Sequence, residues 1–225
     1  MYTSEFRDKV YEQQNETPPR VANEHKEIAI NRLNEHLPED MEWKHILDYW
    51  CWNGHIWENF LQKWADVDFA EISSKMVELL IKKYVYVWDI WKTLDAEKSK
   101  WQAKVFSVES PKDLPVEDWS YDYVITRALF HHVSPEVWKE FLDKFWKLLK
   151  ENWKIIIAWW DETDIVLKQD GYKWHVTWQP SYKINNLPGY LDPDIFEIEE
   201  TWLVDEKIPA FDIPRTFRYF IIMRK

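Results

Sequence analysis

Glycine is almost missing from this chain, and no other feature of the sequence limits its possible folds so strongly. The 225 residues include 3 glycines and 17 tryptophans, whereas a globular chain of this length ordinarily has about 16 glycines. Glycine supplies the left-handed backbone conformations of tight turns, which other residues reach only with strain. Several tryptophans stand in polar, turn-like segments, such as Trp119 after Asp118 and Trp153 after Asn152. We therefore hypothesise that many of the tryptophans stand for glycine.

One mechanism for such a replacement is a UGA codon, which some bacterial lineages read as glycine and which conceptual translation writes as tryptophan. UGG codons at positions 50, 52 and 153 would rule this mechanism out. Trp138 is different, because it lies in the amphipathic stretch from Glu136 to Leu149, where a large apolar side chain is expected to face the core. We expect Trp138 to be a genuine tryptophan.

Charge and cysteine content restrict the class of protein. The net charge of -11 argues against a nucleic-acid partner, since such proteins normally present a basic face. The single cysteine, Cys51, excludes an internal disulfide framework and fits a reducing compartment. The N-terminus is polar and no apolar run approaches the length of a membrane span. We expect a cytoplasmic protein with no membrane or nucleic-acid partner; the oligomeric state stays open.

Short apolar runs alternate with amphipathic stretches from residue 41 onward. This alternation predicts an α/β fold with a mostly parallel sheet. Residues 1–40 are polar with helical periodicity and predict a helical cap, residues 41–225 form the main domain, and residues 161–195 are an irregular, aromatic insertion. The predicted strands are Ile46 to Tyr49, Ala65 to Ala70, Val105 to Val108, Tyr123 to Thr126, Lys154 to Ala158, Ile195 to Val204 and Phe217 to Met223. The predicted helices are Ile56 to Lys63, Ser73 to Lys83, and Pro135 to Lys150 with Ser134 as its N-cap.

The segment from Ile46 to Gly54 carries the strongest functional signal. With glycine at 50 and 52 it reads ILDYGCGNG, a strand that ends in a tight turn before a helix. Such a turn brings the backbone close to a bound ligand, and side chains at 50 and 52 would occupy that space. A dinucleotide-binding fingerprint would place its third glycine at position 55, which is His55, whereas this segment has Gly54. The spacing therefore disfavours a dinucleotide site.

This segment resembles the first motif of class I S-adenosylmethionine (SAM)-dependent methyltransferases, and the resemblance continues along the chain. The stretch from Val67 to Met76 is similar to the second strand of the family, which ends in an acidic residue before a helix. The stretch from Glu109 to Val124 is similar to its adenine loop and fourth strand. Ser110 departs from the acid often found there, which leaves the adenine contact open. The stretch from Thr126 to Val133 is similar to the Leu/Phe-His-His-Val run of many small-molecule members.

The resemblance implies a three-layer, Rossmann-like fold with a seven-stranded, mostly parallel sheet and an antiparallel last strand. It implies SAM as cofactor, with Asp48 near its amino-acid moiety and Glu71 at the ribose hydroxyls. The implied cofactor-binding residues are Asp48, Trp50, Cys51, Trp52, Gly54, Glu71, Ile72, Met76, Ser110, Pro111 and Thr126. Arg127 and His131 are candidates for a catalytic, substrate-side role, and His132 is interpreted as a packing residue. No cluster with metal-ligand spacing is evident, so no metal is expected.

Methyl transfer from SAM to a small molecule is the function that this resemblance implies. Two alternatives stay open. If Trp50 and Trp52 are real, their indoles would strain the turn and fill the cofactor space, and the chain would be a catalytically inactive binding or scaffold protein. A nucleotide-dependent oxidoreductase is the second alternative, which the Gly54 spacing does not support.

Overall fold

The computed structural model describes residues 31, 33–51, 54, 65–82, 103–127, 129–130, 133, 135–164, 184–207 and 214–225. The predicted helix at Ile56 to Lys63 and the predicted N-cap Ser134 lie outside the described residues. So do most of the predicted cap and the larger part of the predicted insertion. In the cap, residues 31 and 33–36 are helical, and Leu33 and Leu37 are buried in the hydrophobic core.

Within the described ranges, seven strands form one sheet. They are β1 (His45–Tyr49), β2 (Asp66–Glu71), β3 (Val105–Ser107), β4 (Tyr121–Arg127), β5 (Leu149–Trp160), β6 (Phe196–Lys207) and β7 (Pro214–Arg224). Their order across the sheet is β3-β2-β1-β4-β5-β7-β6. The first five strands run parallel to one another, and β7 is antiparallel to both β5 and β6. The predicted fold, mostly parallel with an antiparallel last strand, is confirmed.

The strand order reverses between β1 and β4. The chain passes from β1 outward to β2 and β3, then returns to β4 on the other side of β1. In an open parallel sheet the connections on the two sides diverge at such a point and leave a crevice beyond the carboxyl ends of the strands. The topology therefore places a ligand crevice at the carboxyl ends of β1 and β4.

Besides the helical residues 31 and 33–36, two α-helices fall in the described part of the chain. Helix α1 (Ser74–Leu80) follows β2, and the hydroxyl of its N-cap residue Ser73 accepts a hydrogen bond from the amide of Met76. Helix α2 (Pro135–Leu148) precedes β5 and packs Phe141 and Phe145 edge-on against Tyr49 of β1. Short 3-10 helices span Pro111–Asp113 and Ile184–Tyr190. None of the described helices is long and apolar enough to cross a membrane.

The start of β5 differs from the prediction. The sequence predicts a turn over residues 151–154 and a strand from Lys154, whereas β5 begins at Leu149 and pairs there with Tyr121. The register with β4 then shifts before Tyr123 pairs with Lys154. The polar residues between these two pairs are accommodated as a bulge inside the strand, with Asn152 at φ 63°. The position that needs left-handed backbone is thus Asn152, which tolerates it, and not Trp153.

Among the described residues, three tryptophans occupy left-handed backbone conformations. Trp43, Trp50 and Trp119 have φ values of 67°, 70° and 63°. This region is strained for a bulky L-residue and costs nothing comparable for glycine. The prediction that Trp50 and Trp119 stand at glycine-type turns therefore agrees with the backbone, and Trp43 is a further such position.

At the amino-terminal edge of the sheet, Asp122 of β4 links its strand to the two neighbouring strands, β1 and β5. Its carboxylate oxygen Oδ2 accepts a hydrogen bond from the His45 amide at 2.8 Å and pairs with the Lys150 ammonium at 2.7 Å. These contacts anchor the starts of β1, β4 and β5 at the edge opposite the crevice. Asp122 is therefore a structural acid, remote from the carboxyl ends of the strands.

Candidate cofactor and acceptor site

The sheet register aligns charged side chains on one face of the crevice. Asp48 of β1 pairs with Phe69 of β2 and with Ile125 of β4. Side chains alternate between faces along a strand, so Glu71, two residues beyond Phe69, lies on the same face as Asp48. Arg127, two residues beyond Ile125, lies on that face as well. The carboxyl edge thus presents two acids and one cation in a row across three neighbouring strands, in the order Glu71, Asp48 and Arg127.

Asp48 is a buried carboxyl group with an unsatisfied oxygen. Its side chain is 3% exposed, and no donor among the described residues reaches its Oδ2 atom. Burial is the main cause that raises the pKa of Asp48 well above its ordinary value; the Glu71 carboxylate raises it further and Arg127 opposes the rise. A buried polar atom without a partner costs about 1–3 kcal/mol. Asp48 is therefore a position where a cationic or hydrogen-bond-donating ligand would remove a penalty.

Glu71 is held in a fixed orientation at the carboxyl end of β2. Its Oε1 atom accepts hydrogen bonds from the amides of Ile72 and Ser73 at 2.9 and 3.0 Å. Its backbone carbonyl accepts a further bond from Val108 at 3.1 Å, which ties the end of β2 to the segment after β3. The side chain is 1% exposed. The predicted ribose-binding acid is thus the last residue of its strand, with its carboxylate oriented by the backbone of the turn.

The turn after β1 bends back over the end of β2. The amides of Trp50 and Cys51 both point at the Ala70 carbonyl, at 2.8 and 3.4 Å, and the Gly54 amide bonds the Cys51 carbonyl at 3.0 Å. Gly54 has φ 68°. The Trp50 indole is buried within the hydrophobic core cluster. The turn therefore has the backbone path expected of a glycine-rich loop, with an indole at its first left-handed position; Trp52 lies outside the described residues.

The loop after β3 contributes the remaining predicted cofactor residues. Ser110 caps the 3-10 helix Pro111–Asp113 by accepting a hydrogen bond from the Lys112 amide at 3.3 Å. Pro111 is buried and Ser110 is half-buried. Ile72 and Met76 are also buried, Met76 completely. Ile72, Met76 and Pro111 follow the carboxyl ends of β2 and β3, and we refer to these three buried residues as the apolar border of the crevice.

The end of β4 presents Thr126 and Arg127. Thr126 is fully buried, and within the described ranges its hydroxyl has no hydrogen-bond partner. It pairs with Tyr49 of β1, so it lies on the face opposite Asp48. The Arg127 guanidinium carbon stands 4.3 Å from the centre of the Phe217 ring of β7. A cation over an aromatic face is an attractive contact. Arg127 thus extends from the crevice toward the β7 side of the sheet.

Two histidines predicted from the sequence cannot be placed. His131, a candidate catalytic residue, and His132 both lie outside the described residues. Across the part of the chain that is described, no group of three or more His, Cys, Asp or Glu side chains could hold a metal ion.

Sequence reasoning missed an ionic cluster at the carboxyl end of β5. Asp161 accepts hydrogen bonds from the amide and hydroxyl of Thr163 and from Arg218 Nε of β7. Burial alone would raise the pKa of Asp161, but these hydrogen bonds outweigh it and hold the pKa below its ordinary value. The nearby Asp164 accepts from the Thr216 amide at 2.8 Å. Asp161 and Arg218 are 57 positions apart in the chain, so no local pattern could have paired them.

Comparisons with known proteins agree with this architecture. Residues 22–188 match the model of a family described as a methyltransferase domain. No curated protein matches the chain. The solved structure of magnesium protoporphyrin IX methyltransferase from Synechocystis PCC 6803, with bound S-adenosylhomocysteine (SAH), is similar with a TM-score of 0.64 and 16% identity. It matches over 91% of this chain and 85% of that one.

Two further solved structures have the same fold. A SAM-dependent methyltransferase from Archaeoglobus fulgidus has a TM-score of 0.59 and 16% identity, over 89% of this chain and 94% of that one. A putative SAM-dependent methyltransferase from Listeria monocytogenes has a TM-score of 0.62 and 14% identity, over 88% and 98%.

The parallel sheet, its reversal between β1 and β4, and the acids at its carboxyl edge define the class I methyltransferase architecture. The chain belongs to the methyltransferase-domain family, since the family model covers more than half of its length. The resemblance to SAM-dependent methyltransferases inferred from the sequence is therefore confirmed.

Proposed function

We propose that this protein binds SAM in the crevice beyond β1, β2 and β4 and transfers its methyl group to a small-molecule acceptor. The observation that carries the proposal is the pair of buried acids, Asp48 and Glu71, on one face of the carboxyl edge. Each acid lies at the end of a neighbouring parallel strand. Two carboxylates in a buried site repel each other and favour a cationic ligand.

The described residues fit such a ligand. The unsatisfied Oδ2 atom of Asp48 would accept a hydrogen bond from the ammonium group of SAM. The oriented carboxylate of Glu71 suits a pair of ribose hydroxyls, as carboxylates do in dinucleotide sites. The apolar border made by Ile72, Met76 and Pro111 suits the adenine ring. Ser110, Cys51, Gly54 and Thr126 complete the proposed cofactor-binding set, with Trp50 and Trp52 at positions where glycine would leave more space.

SAM supplies an activated methyl group, so the protein needs mainly to align the acceptor and exclude water. Asp48 and Glu71 orient the donor side. Arg127 borders the opposite side of the crevice, against Phe217, and we assign it an acceptor-side role together with His131. The sequence and the site do not name a general base, which is needed only if the acceptor must lose a proton.

Three further assignments belong to this proposal. We assign selection of the acceptor to the N-terminal cap, residues 1–40, and to the insertion, residues 161–195. The acidic net charge favours a small molecule over a nucleic acid as acceptor. The composition also favours a cytoplasmic location.

An inactive binding or scaffold protein is the second candidate, and one observation favours it. Trp50 holds a left-handed conformation with a buried indole at the turn that should approach the ligand. If that indole is present in the working protein, it competes with the cofactor for space and the turn stores strain. A nucleotide-dependent oxidoreductase has no such support in the described residues.

Calorimetric titration with SAH tests the proposal. We expect the double variant Trp50→Gly and Trp52→Gly to bind SAH more tightly than the chain as written, because the turn is relieved and opened. In that background, Asp48→Asn should weaken binding at least about tenfold, the effect of losing one charged hydrogen bond. Asp122→Asn, the same exchange at the opposite edge of the sheet, is the matched control and should leave SAH binding unchanged.

The outcomes separate the candidates. No SAH binding by the folded double variant would overturn the methyltransferase proposal, and binding of NADH instead would favour the oxidoreductase. Binding without methyl transfer would favour the scaffold. To test the acceptor class, a cell extract is divided into a low-molecular-weight fraction and a macromolecular fraction. Formation of SAH from SAM is then measured with each fraction separately. Release with the macromolecular fraction alone would refute the small-molecule acceptor.

A further inference from the structure

Trp138 of helix α2 makes an unusual contact with the loop that follows β4. Its indole nitrogen Nε1 lies 3.0 Å from the carbonyl oxygen of Phe130 and 3.0 Å from that of Val133. One N–H group is thus shared between two backbone carbonyls on either side of His131 and His132. Val133 lies outside any helix or strand, and Phe130 has a 3-10 conformation; both carbonyls accept the indole N–H group.

The indole that makes this contact is held rigidly. Trp138 is fully buried, and its ring packs edge-on against Phe130 at 5.6 Å and Trp159 of β5 at 6.1 Å. Tyr190, at the end of the 3-10 helix Ile184–Tyr190, packs edge-on against it at 5.0 Å. The Trp138 ring therefore contacts the loop after β4, the carboxyl end of β5 and the end of the 3-10 helix Ile184–Tyr190.

From this geometry we propose that Trp138 is the positioning residue of the acceptor side. Its N–H group holds the backbone at Phe130 and Val133, the residues that flank His131 and His132 in the chain. Its ring packs against Phe130 and against Trp159 of β5. The inference rests on the proposed function, which places the acceptor beyond the end of β4. Trp138 itself touches no reacting atom; it acts through the loop that carries the candidate residue His131.

This role predicts a division between the two halves of the site. Asp48 and Glu71 lie on β1 and β2, whereas the indole N–H group bonds Phe130 and Val133 after β4, so we expect cofactor binding not to depend on the Trp138 N–H group. Acceptor alignment should depend on it, because a displacement of about 1 Å in a reacting geometry can slow transfer about a hundredfold.

The test replaces the donor and keeps the ring. Trp138→Phe removes the N–H group, and benzothienylalanine at position 138, which has sulfur in place of the N–H, keeps the bicyclic shape if the phenylalanine variant does not fold. Trp146→Phe, the same exchange on the same helix, is the matched control; Trp146 packs against Phe196 instead of the loop. All variants are made in the background that binds SAH.

Three quantities are measured. We expect SAH affinity by calorimetry to stay within about twofold of the parent, since one distant hydrogen bond is lost. The ring NMR signals of His131 and His132, assigned by His131→Gln and His132→Gln, should move in the donor-less variants and stay in place in Trp146→Phe. The rate at which SAH forms from SAM with the low-molecular-weight extract should fall about 10- to 100-fold in the donor-less variants.

Unchanged histidine signals and an unchanged transfer rate in a folded, SAH-binding donor-less variant would overturn the inference. Loss of SAH binding together with the transfer rate would also overturn it, because Trp138 would then support the whole domain. Failure of the parent to bind SAH would refute the proposed function. The histidine signals are read without cofactor, so they test the Trp138 contact in either case.

Discussion

The left-handed tryptophans allow a direct test of the idea that glycine belongs at these positions. Trp119 is the simplest case, because it lies at φ 63° in an exposed turn and 47% of its surface is open to solvent. Its amide donates to the Lys147 carbonyl at 2.8 Å, which fixes the turn onto helix α2. Any replacement loses the contacts of the indole, so the comparison that isolates the backbone is between two small residues, Trp119→Gly and Trp119→Ala.

Two opposing effects set the difference in stability between the glycine and alanine variants. Alanine in a left-handed conformation is strained by about 1–2 kcal/mol, which glycine avoids. Glycine loses about 0.5–1 kcal/mol more conformational entropy on folding. We expect Trp119→Gly to be more stable than Trp119→Ala by about 1 kcal/mol, or about 2–4 °C in Tm for a chain of this size. At Trp146, inside helix α2, the order should invert, with alanine more stable than glycine by about 1 kcal/mol.

Urea unfolding of the four variants, followed by circular dichroism, gives the two differences. The reasoning fails if alanine is as stable as glycine at position 119, because the turn would then have no need for a left-handed residue. The origin of the tryptophans is a separate question that the gene answers. We expect UGA codons at positions 43, 50 and 119 and a UGG codon at position 138, where the indole nitrogen has two partners.

Three further predictions concern the charged residues. Asp48→Asn should stabilise the cofactor-free protein by about 1–3 kcal/mol at pH values above the raised pKa of Asp48. This gain in stability should vanish as the pH falls toward the ordinary pKa of an aspartate. Thermal unfolding across a pH series measures the difference. Arg127→Gln removes the positive charge that opposes the rise in the pKa of Asp48. Asp48 should then ionise at a higher pH, and calorimetry should show SAH affinity reaching its plateau at a higher pH than in the parent. Asp161→Asn should cost about 1.5–3 kcal/mol at neutral pH. Because the pKa of Asp161 is lowered, this difference from the parent should disappear as pH falls below about 4, which urea unfolding would show.

The sequence predicted the elements that build the crevice better than those that complete it. Apolar runs with β-branched residues located β1, β2 and β4 within two residues, and the position of Glu71 followed from its place after such a run. The parallel arrangement of the first five strands could be predicted because strands that alternate with helices form parallel sheets. The bulge at the start of β5 could not be predicted, since Asn152 and its polar neighbours have the composition of an open turn.

Contacts between residues that are distant in the chain also could not be predicted from the sequence. The amphipathic pattern of helix α2 showed that Trp138 faces the core, but nothing in a pattern of side chains indicates that its N–H group bonds two carbonyls. Asp161 and Arg218 each look like an ordinary surface charge in the sequence. They become a pair only because β7 returns antiparallel beside β5, and that pairing depends on the whole sheet.

The register of the sheet explains how one crevice can serve two ligands of different charge. Along one face of the carboxyl edge, the side chains run from Glu71 and Asp48 to Arg127 and the Phe217 ring. The two acids, on β2 and β1, create a field that favours a cation on that side, and Arg127 on β4 reverses the sign where the strand order reverses. Under the proposed function, this arrangement favours a sulfonium donor on one side of the reversal and a neutral or anionic acceptor on the other. Because alternation along each strand sets this row, the donor and acceptor halves are distinguished by the fold before any ligand binds.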